Sequence, residues 1–162
     1  KDLSGNYVNN KEYEDINIRK ENDLILGFRM IDGINIDIDS GYRSLEAQED
    51  LFLKFMKKYG LDYAESIVAM PGTSEHHTGL ALDINIMKDG KWLIENDDLI
   101  KEVDIFNKIH KDLKYFGFIL RYPLGKEDIT GYPYEPWHIR YVGEDIAQSI
   151  GDKTLEEYLN VQ

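Results

Sequence analysis

The chain switches between two hydrophobic periods, and that switch limits its fold more than any other feature. Ile34, Ile36 and Ile38 alternate with polar residues, the pattern of a half-buried strand. Directly afterwards Ala47, Leu51, Phe55 and Tyr59 recur every fourth residue, with Phe52 and Met56 alongside. That is an amphipathic helix, capped by Ser44 and stopped by Gly60. A second helix is predicted near Asp62 to Ala69, with Ala64, Ile67 and Val68 on one side, before Pro71-Gly72 breaks the chain. Gly79 to Ile86 reads as a strand and Lys88-Asp89-Gly90-Lys91 as its turn. Val103, Phe106, Ile109, Leu113 and Phe116 give a third helix ended by Gly117, and Phe118–Tyr122 and Trp137–Val142 read as strands. Thr154 and Glu157 have the spacing of a capping box, which predicts a closing helix. Helices interleaved with mainly antiparallel strands define an α+β fold, a small sheet flanked by helices.

Residues 1–162 fit one domain, with residues 1–22 read as an arm of loops and short strands of open role. The net charge is -12, which argues against a nucleic-acid partner because phosphate binding needs clustered Lys and Arg. The chain has no cysteine, which excludes disulfide scaffolds, thiolate metal sites and cysteine nucleophiles together. No segment approaches the roughly 18 apolar residues of a membrane span. The chain starts at Lys1 rather than Met, so a membrane anchor or signal is expected, if anywhere, upstream of it.

Chemistry concentrates in two segments, Ser74 to Asp83 and Glu135 to His138. Two histidines and a carboxylate form an open zinc set that leaves one position for water. His76 and Asp83 lie seven apart, an odd offset that a straight strand would split between its faces. Gly79 permits the turn that would bring them together. Glu135 and His138 are also an odd offset apart, and Pro136 bends the approach. Glu135 would then flank a ligand without being one, as a base for water requires. Arg43 is the candidate cation for an oxyanion or a substrate carboxylate. A His-x6-Asp pair also occurs in chains that bind no metal, so spacing alone leaves the metal question open.

Three separated stretches carry a resemblance. Ser40-Gly-Tyr-Arg-Ser44 with Gln48, Ser74-x-His-x-x-Gly-x-Ala-x-Asp83, and Glu135-Pro-Trp-His138 resemble the zinc D-alanyl-D-alanine carboxypeptidases of the VanY type. These are grouped with lysostaphin-type peptidases and the hedgehog domain. Arg121-Tyr-Pro-x-Gly-Lys126 and Tyr134 to Gly143 fit the VanY and VanXY branch. The resemblance spans roughly Ile34 to Ile146.

It implies one zinc ion per chain held by His76, Asp83 and His138, with Glu135 as catalytic base and Arg43 both binding substrate and stabilising charge. Gln48 and Ser74 would line the subsite for the terminal residue. The implied activity is removal of C-terminal D-alanine from peptidoglycan stem peptides. L,D-carboxypeptidase and D,D-dipeptidase activity on the same site are the alternatives. A hedgehog-like zinc-containing binding module is the alternative of another class. The implied location is extracytoplasmic, in the cell envelope, with the cytoplasm as the alternative.

Other residues take plainer roles. His77 is expected at the rim, His110 at a solvated or core edge, Asp37 and Asp39 on the wet face of their strand. Trp137 is expected to pack, Phe52, Phe55 and Tyr59 to form a core stripe, and Glu95 to Asp98 to be a solvated loop.

Overall fold

The computed structural model describes residues 23–25, 27–29 and 33–160. The arm expected over residues 1–22 lies outside the described residues. Residues 23–25 and 27–29 are helical, and Leu24 and Phe28 are fully buried. The strands are β1 (Ile36–Ser40), β2 (Ala81–Lys88), β3 (Lys91–Leu93), β4 (Phe118–Leu120) and β5 (His138–Tyr141). Between them run helices α1 (Leu45–Tyr59), α2 (Leu61–Ile67), α3 (Asn96–Leu99), α4 (Val103–Asp112) and α5 (Glu127–Thr130). Helices α6 (Glu144–Ile150) and α7 (Leu155–Leu159) close the described chain. This is the α+β architecture expected from the sequence.

The strands form one antiparallel sheet in the order β1-β2-β5-β4, with β3 paired to the far end of β2. Strand β2 organises it. Leu82, Ile84 and Ile86 enter the core, and Asp83 and Asn85 therefore take the other face. Ile139 of β5, Ile36 of β1, and Phe106 and Ile109 of α4 join them. Ile84, Ile86, Phe106, Ile109 and Ile139 are wholly buried, each contributing about 1.5–3 kcal/mol of transfer free energy. The β1–β2 register shifts between Ile38 and Ser40, a bulge that brings Ser40 opposite Asp83.

Local signals set the element ends. Ser44 Oγ accepts from Ala47 N at 3.2 Å, and Gly60 follows α1 at φ 93°. Thr154 and Glu157 complete the expected capping box. Several expectations change, and Ile67, expected to share a face with buried Ala64 and Val68, is exposed. The inner face of α1 is Gln48, Leu51, Phe52, Phe55 and Met56, so Ala47 is exposed and Tyr59, 48% exposed, packs at a tilt against Phe55 and Tyr63 at the surface. A buried polar residue, Gln48, shifts the helix phase by one from the apolar count. Glu95 caps a short helix whose Leu99 reaches the core, so the acidic run is not a loop throughout. The third helix is α-helical only to Asp112; its last turn, Leu113–Phe116, tightens to a 3-10 helix. Trp137 packs in the core as expected.

Gly117 ends that turn at φ 79°, where a Cβ would lie 2.7 Å from the Tyr141 ring and 3.2 Å from the backbone of Gly143 and Glu144. Gly117→Ala should therefore lower the unfolding free energy by more than about 1 kcal/mol. Urea denaturation checks this; an unchanged midpoint would show that the turn relaxes freely.

Candidate metal centre

Four segments meet on the polar face of the sheet. The loop after β1 supplies Arg43. A 3-10 turn, Glu75–Thr78, supplies His76, and Gly79 at φ 69° then turns the chain into β2. Strand β2 supplies Asp83. Strand β5 begins with His138, directly paired to Asp83. Glu135 lies just before it, in a turn closed by His138 N donating to Glu135 O at 3.2 Å, with Pro136 at the second turn position. Both odd offsets are thus resolved by turns rather than by straight strand.

The imidazoles are held from behind. His76 is buried, and its Nδ1 lies 2.7 Å from the Gly41 carbonyl. A carbonyl only accepts, so Nδ1 carries the proton and Nε2 keeps its lone pair, 3.2 Å from Asp83 Oδ2. His138 turns Nδ1 to Asp83 Oδ1 at 2.9 Å. The two rings meet edge to face with centroids 5.0 Å apart. One donor atom from each of His76, Asp83 and His138 lies within 4.8 Å of the others. Ligand atoms around a tetrahedral ion with bonds of about 2.0–2.2 Å stand roughly 3.3–3.6 Å apart. The set is therefore near the size a zinc ion needs, and its two nitrogens and one oxygen suit zinc chemically.

Electrostatics point the same way. Burial disfavours charge on Asp83, but the neighbouring His138 and His76 imidazoles outweigh it and hold the carboxyl well below its usual range. Burial likewise opposes a charge on His138, yet Asp83 and Glu75 push its pKa up to about 9. The cluster is thus negative enough to demand a cation, which a proton or a metal ion can supply. Glu135 is different. Burial is its main influence, and the pKa rises to about 7, with His138 lowering and Asp83 raising it further. Its Oε2 lies 3.9 Å from His138 Nδ1.

Arg43 is fixed before any ligand arrives. NH1 donates to Gln48 Oε1 at 2.9 Å and NH2 to Ser40 Oγ at 2.7 Å, with Asp83 Oδ2 at 3.9 Å. Gln48 is 1% exposed and donates from Nε2 to the Ala69 carbonyl at 2.7 Å. It lines the cleft, but its oxygen and nitrogen both already have partners. Ser74 also lines the cleft, and its Oγ caps the turn that carries His76, accepting from His76 N at 3.3 Å. His77 points away from Asp83. It joins the Arg43 carbonyl, at 2.8 Å from Nδ1, to Gly72 N, at 3.1 Å from Nε2. His110 is half-buried outside the cluster, with Nε2 2.9 Å from the Pro136 carbonyl.

The cleft has a volume of about 360 Å³. Its floor is the Asp83 face of the sheet, and Leu51, Phe55 and Val68 form an apolar wall. Sequence reasoning missed Glu75, which sits among Arg121, Arg140 and His138. Arg140 was accessible to such reasoning, because it lies two residues from His138 on one strand face. Arg121 appeared there only as the first residue of the VanY-like stretch to Lys126, with no role attached.

A sheet that gathers two histidines and a carboxylate beside a further half-buried carboxylate is of the kind that metal-dependent hydrolases use. The chain belongs to the VanY family, described as D-alanyl-D-alanine carboxypeptidase, whose model matches residues 22–144. It is 45% identical over 130 residues to the putative carboxypeptidase YodJ of Bacillus subtilis (strain 168), covering 78% of this chain and 46% of that one. It thus spans about half the length of that relative.

Two solved structures are similar. The LdcB LD-carboxypeptidase, described with its peptidoglycan recognition, shares 38% identity at a TM-score of 0.74, over 88% of this chain and 67% of that one. The vancomycin resistance D,D-pentapeptidase VanY, as an E175A mutant from a VanB-type cassette with Zn(II), shares 37% identity at a TM-score of 0.73. That match covers 89% of this chain and 82% of the other.

Gln48→Ala would leave the Ala69 carbonyl and Arg43 without their buried partner. The expected loss is about 1–3 kcal/mol of stability, read from urea denaturation of the metal-free protein. An unchanged stability would mean that water replaces the amide.

Proposed function

We propose that this chain is a single-domain zinc-dependent D,D-carboxypeptidase that removes C-terminal D-alanine from peptidoglycan stem peptides in the cell envelope. The observation that carries the reading is Glu135: a half-buried carboxylate with a raised pKa, 3.9 Å from His138 and unused in the His76–Asp83–His138 set. The VanY relative bound to Zn(II) supports the choice of metal. No helix among the described residues is long and apolar enough to cross a membrane, so any anchor would lie elsewhere.

His76 would hold zinc through Nε2, His138 through Nδ1, and Asp83 through a carboxylate oxygen. Bound there, zinc supplies Lewis-acid polarisation of the scissile carbonyl and makes water acidic near neutral pH. Glu135 takes a proton from the attacking water onto its carboxylate and passes it to the leaving amine, as the new C–O bond forms and the C–N bond breaks. A base matched to neutral pH suits both transfers. Arg43, immobilised by Gln48 and Ser40, meets the developing negative charge and orients the peptide without reorganising. Ser74 lines the place of the terminal residue. A binding module would have no use for a carboxylate desolvated beside the metal set, and this favours the enzyme over the hedgehog-like alternative.

The likeness to LdcB favours a second specificity on the same site, L,D-carboxypeptidase action on tetrapeptides. Mass spectrometry of defined pentapeptide, tetrapeptide and D-Ala-D-Ala substrates, with and without a chelator, separates these readings. Loss of one D-alanine from the pentapeptide, blocked by chelator, is expected. Cleavage of the tetrapeptide alone would move the assignment to L,D, of the dipeptide alone to a dipeptidase, and no cleavage of any of them would end the enzymatic reading.

Glu135→Ala should keep about one zinc per chain by elemental analysis while turnover falls about 10²–10⁴-fold. Normal turnover would remove Glu135 from its role. Arg43→Ala should also keep zinc and raise the barrier by about 2–4 kcal/mol. An unchanged rate would make Arg43 structural.

A further inference from the structure

Glu75 stands where three charged side chains meet, on the far side of His138 from Asp83. Its Oε1 accepts from Arg121 Nε at 2.8 Å and lies 3.1 Å from Arg140 NH1. Its Oε2 is buried and lies 3.6 Å from His138 Nε2. Neither Oε2 nor Nε2 has a hydrogen-bond partner among the described residues. Opposite edges of one imidazole therefore face two carboxylates, Nδ1 towards Asp83 and Nε2 towards Glu75.

That arrangement restricts the tautomer. A neutral imidazole that offers a lone pair at Nδ1 must carry its proton on Nε2, and a buried N–H needs an acceptor. Glu75 Oε2, itself unpartnered and 3.6 Å away, faces that nitrogen and would accept from it on a small approach. A carboxylate behind a ligating histidine orients the ring and raises its basicity.

Glu75 is itself held. Arg121 spends its other two nitrogens on Glu156 of α7, NH1 to Oε2 at 3.1 Å and NH2 to Oε1 at 2.5 Å. Two parallel contacts fix the plane of the guanidinium. Arg121 also covers the Tyr122 ring at 4.9 Å, and Tyr122 packs on the His138 ring at 4.8 Å. Glu156 lies beyond residues 22–144, the part that the family model matches.

We propose that Glu75 is a positioning residue that keeps His138 protonated on Nε2 and its Nδ1 presented to the Asp83 side, with α7 bracing Glu75 through the Arg121–Glu156 pair. The proposal rests on the His76–Asp83–His138 reading above. The plainer role, neutralising Arg121 and Arg140, leaves one fact unused. Arg121 already has Glu156, and Glu75 still turns one oxygen away from both guanidiniums towards His138.

The test compares Glu75→Ala, Glu75→Gln, Glu156→Gln and His76→Ala in the full chain. Zinc affinity is read by competition with a chromophoric chelator, ligand geometry by the visible spectrum of the Co(II)-substituted protein, and folding by thermal melts of the stripped proteins. Glu75→Ala should loosen zinc by about 10–100-fold and alter the cobalt spectrum. Glu75→Gln, isosteric and still able to accept, should recover part of that affinity, and Glu156→Gln should show a smaller loss in the same direction. Wild-type zinc affinity and cobalt spectrum in a folded Glu75→Ala overturn the proposal.

Should Glu75→Ala fail to fold, wild-type affinity in both Glu75→Gln and Glu156→Gln overturns it equally. His76→Ala separates the two levels. If it releases zinc while the Glu75 variants hold it normally, only the positioning role falls. If His76→Ala keeps zinc at wild-type strength, the metal set itself falls, and the proposal with it.

Discussion

The pairing of β2 with β5 underlies the rest of the structure. Its register sets Asp83 directly opposite His138 and Leu82 opposite Ile139. Side chains alternate along a strand, so one register satisfies two demands at once: Ile139 and Leu82 share the apolar core, and His138 and Asp83 share the polar face. A slip by one residue would bury the ionisable pair and expose the isoleucines. The apolar contacts thus hold the register that keeps the polar side chains on one face.

The polar face nevertheless concentrates charge that an apolar interior resists. Asp83, Glu75 and Glu135 lie within a few side-chain lengths of one another. The fold manages them separately. Arg121 and Arg140 face Glu75, and after burial and the His138 contact it is Arg121 that helps hold its pKa near 2. Asp83 is answered by two imidazoles. Glu135 alone has no close cation fully committed to it, and burial leaves its pKa near 7. Carboxylates of similar chemistry therefore acquire two protonation behaviours from their surroundings, Asp83 and Glu75 held ionised and Glu135 raised towards neutrality, the pattern by which sites divide acid and base work.

Much of this was legible in the sequence because the signals were local. Ser44, Gly60 and Thr154 mark element ends through bonds to residues three or four positions away. His76, Asp83, Glu135 and His138 were recognisable as a group by motif, and turns at Gly79 and Pro136 bring them together. What escaped was non-local or short. Glu75 and Arg121 are 46 residues apart, and Arg121 and Glu156 are 35 apart, spacings without any period. Gln48 defeated the helix count because a polar side chain occupies an inward position. Helices α3 and α5 span four residues each, too few to display a repeat.

The donor groups also differ in when they can meet. His76 and Asp83 are joined by a tight turn and can approach as soon as that short segment forms. His138 is 55 residues further along the chain from Asp83, and its arrival requires closure of a long loop with α3, α4 and β4 in place. Under the proposed zinc reading, the third ligand therefore reaches the other two only through the pairing of β5 with β2.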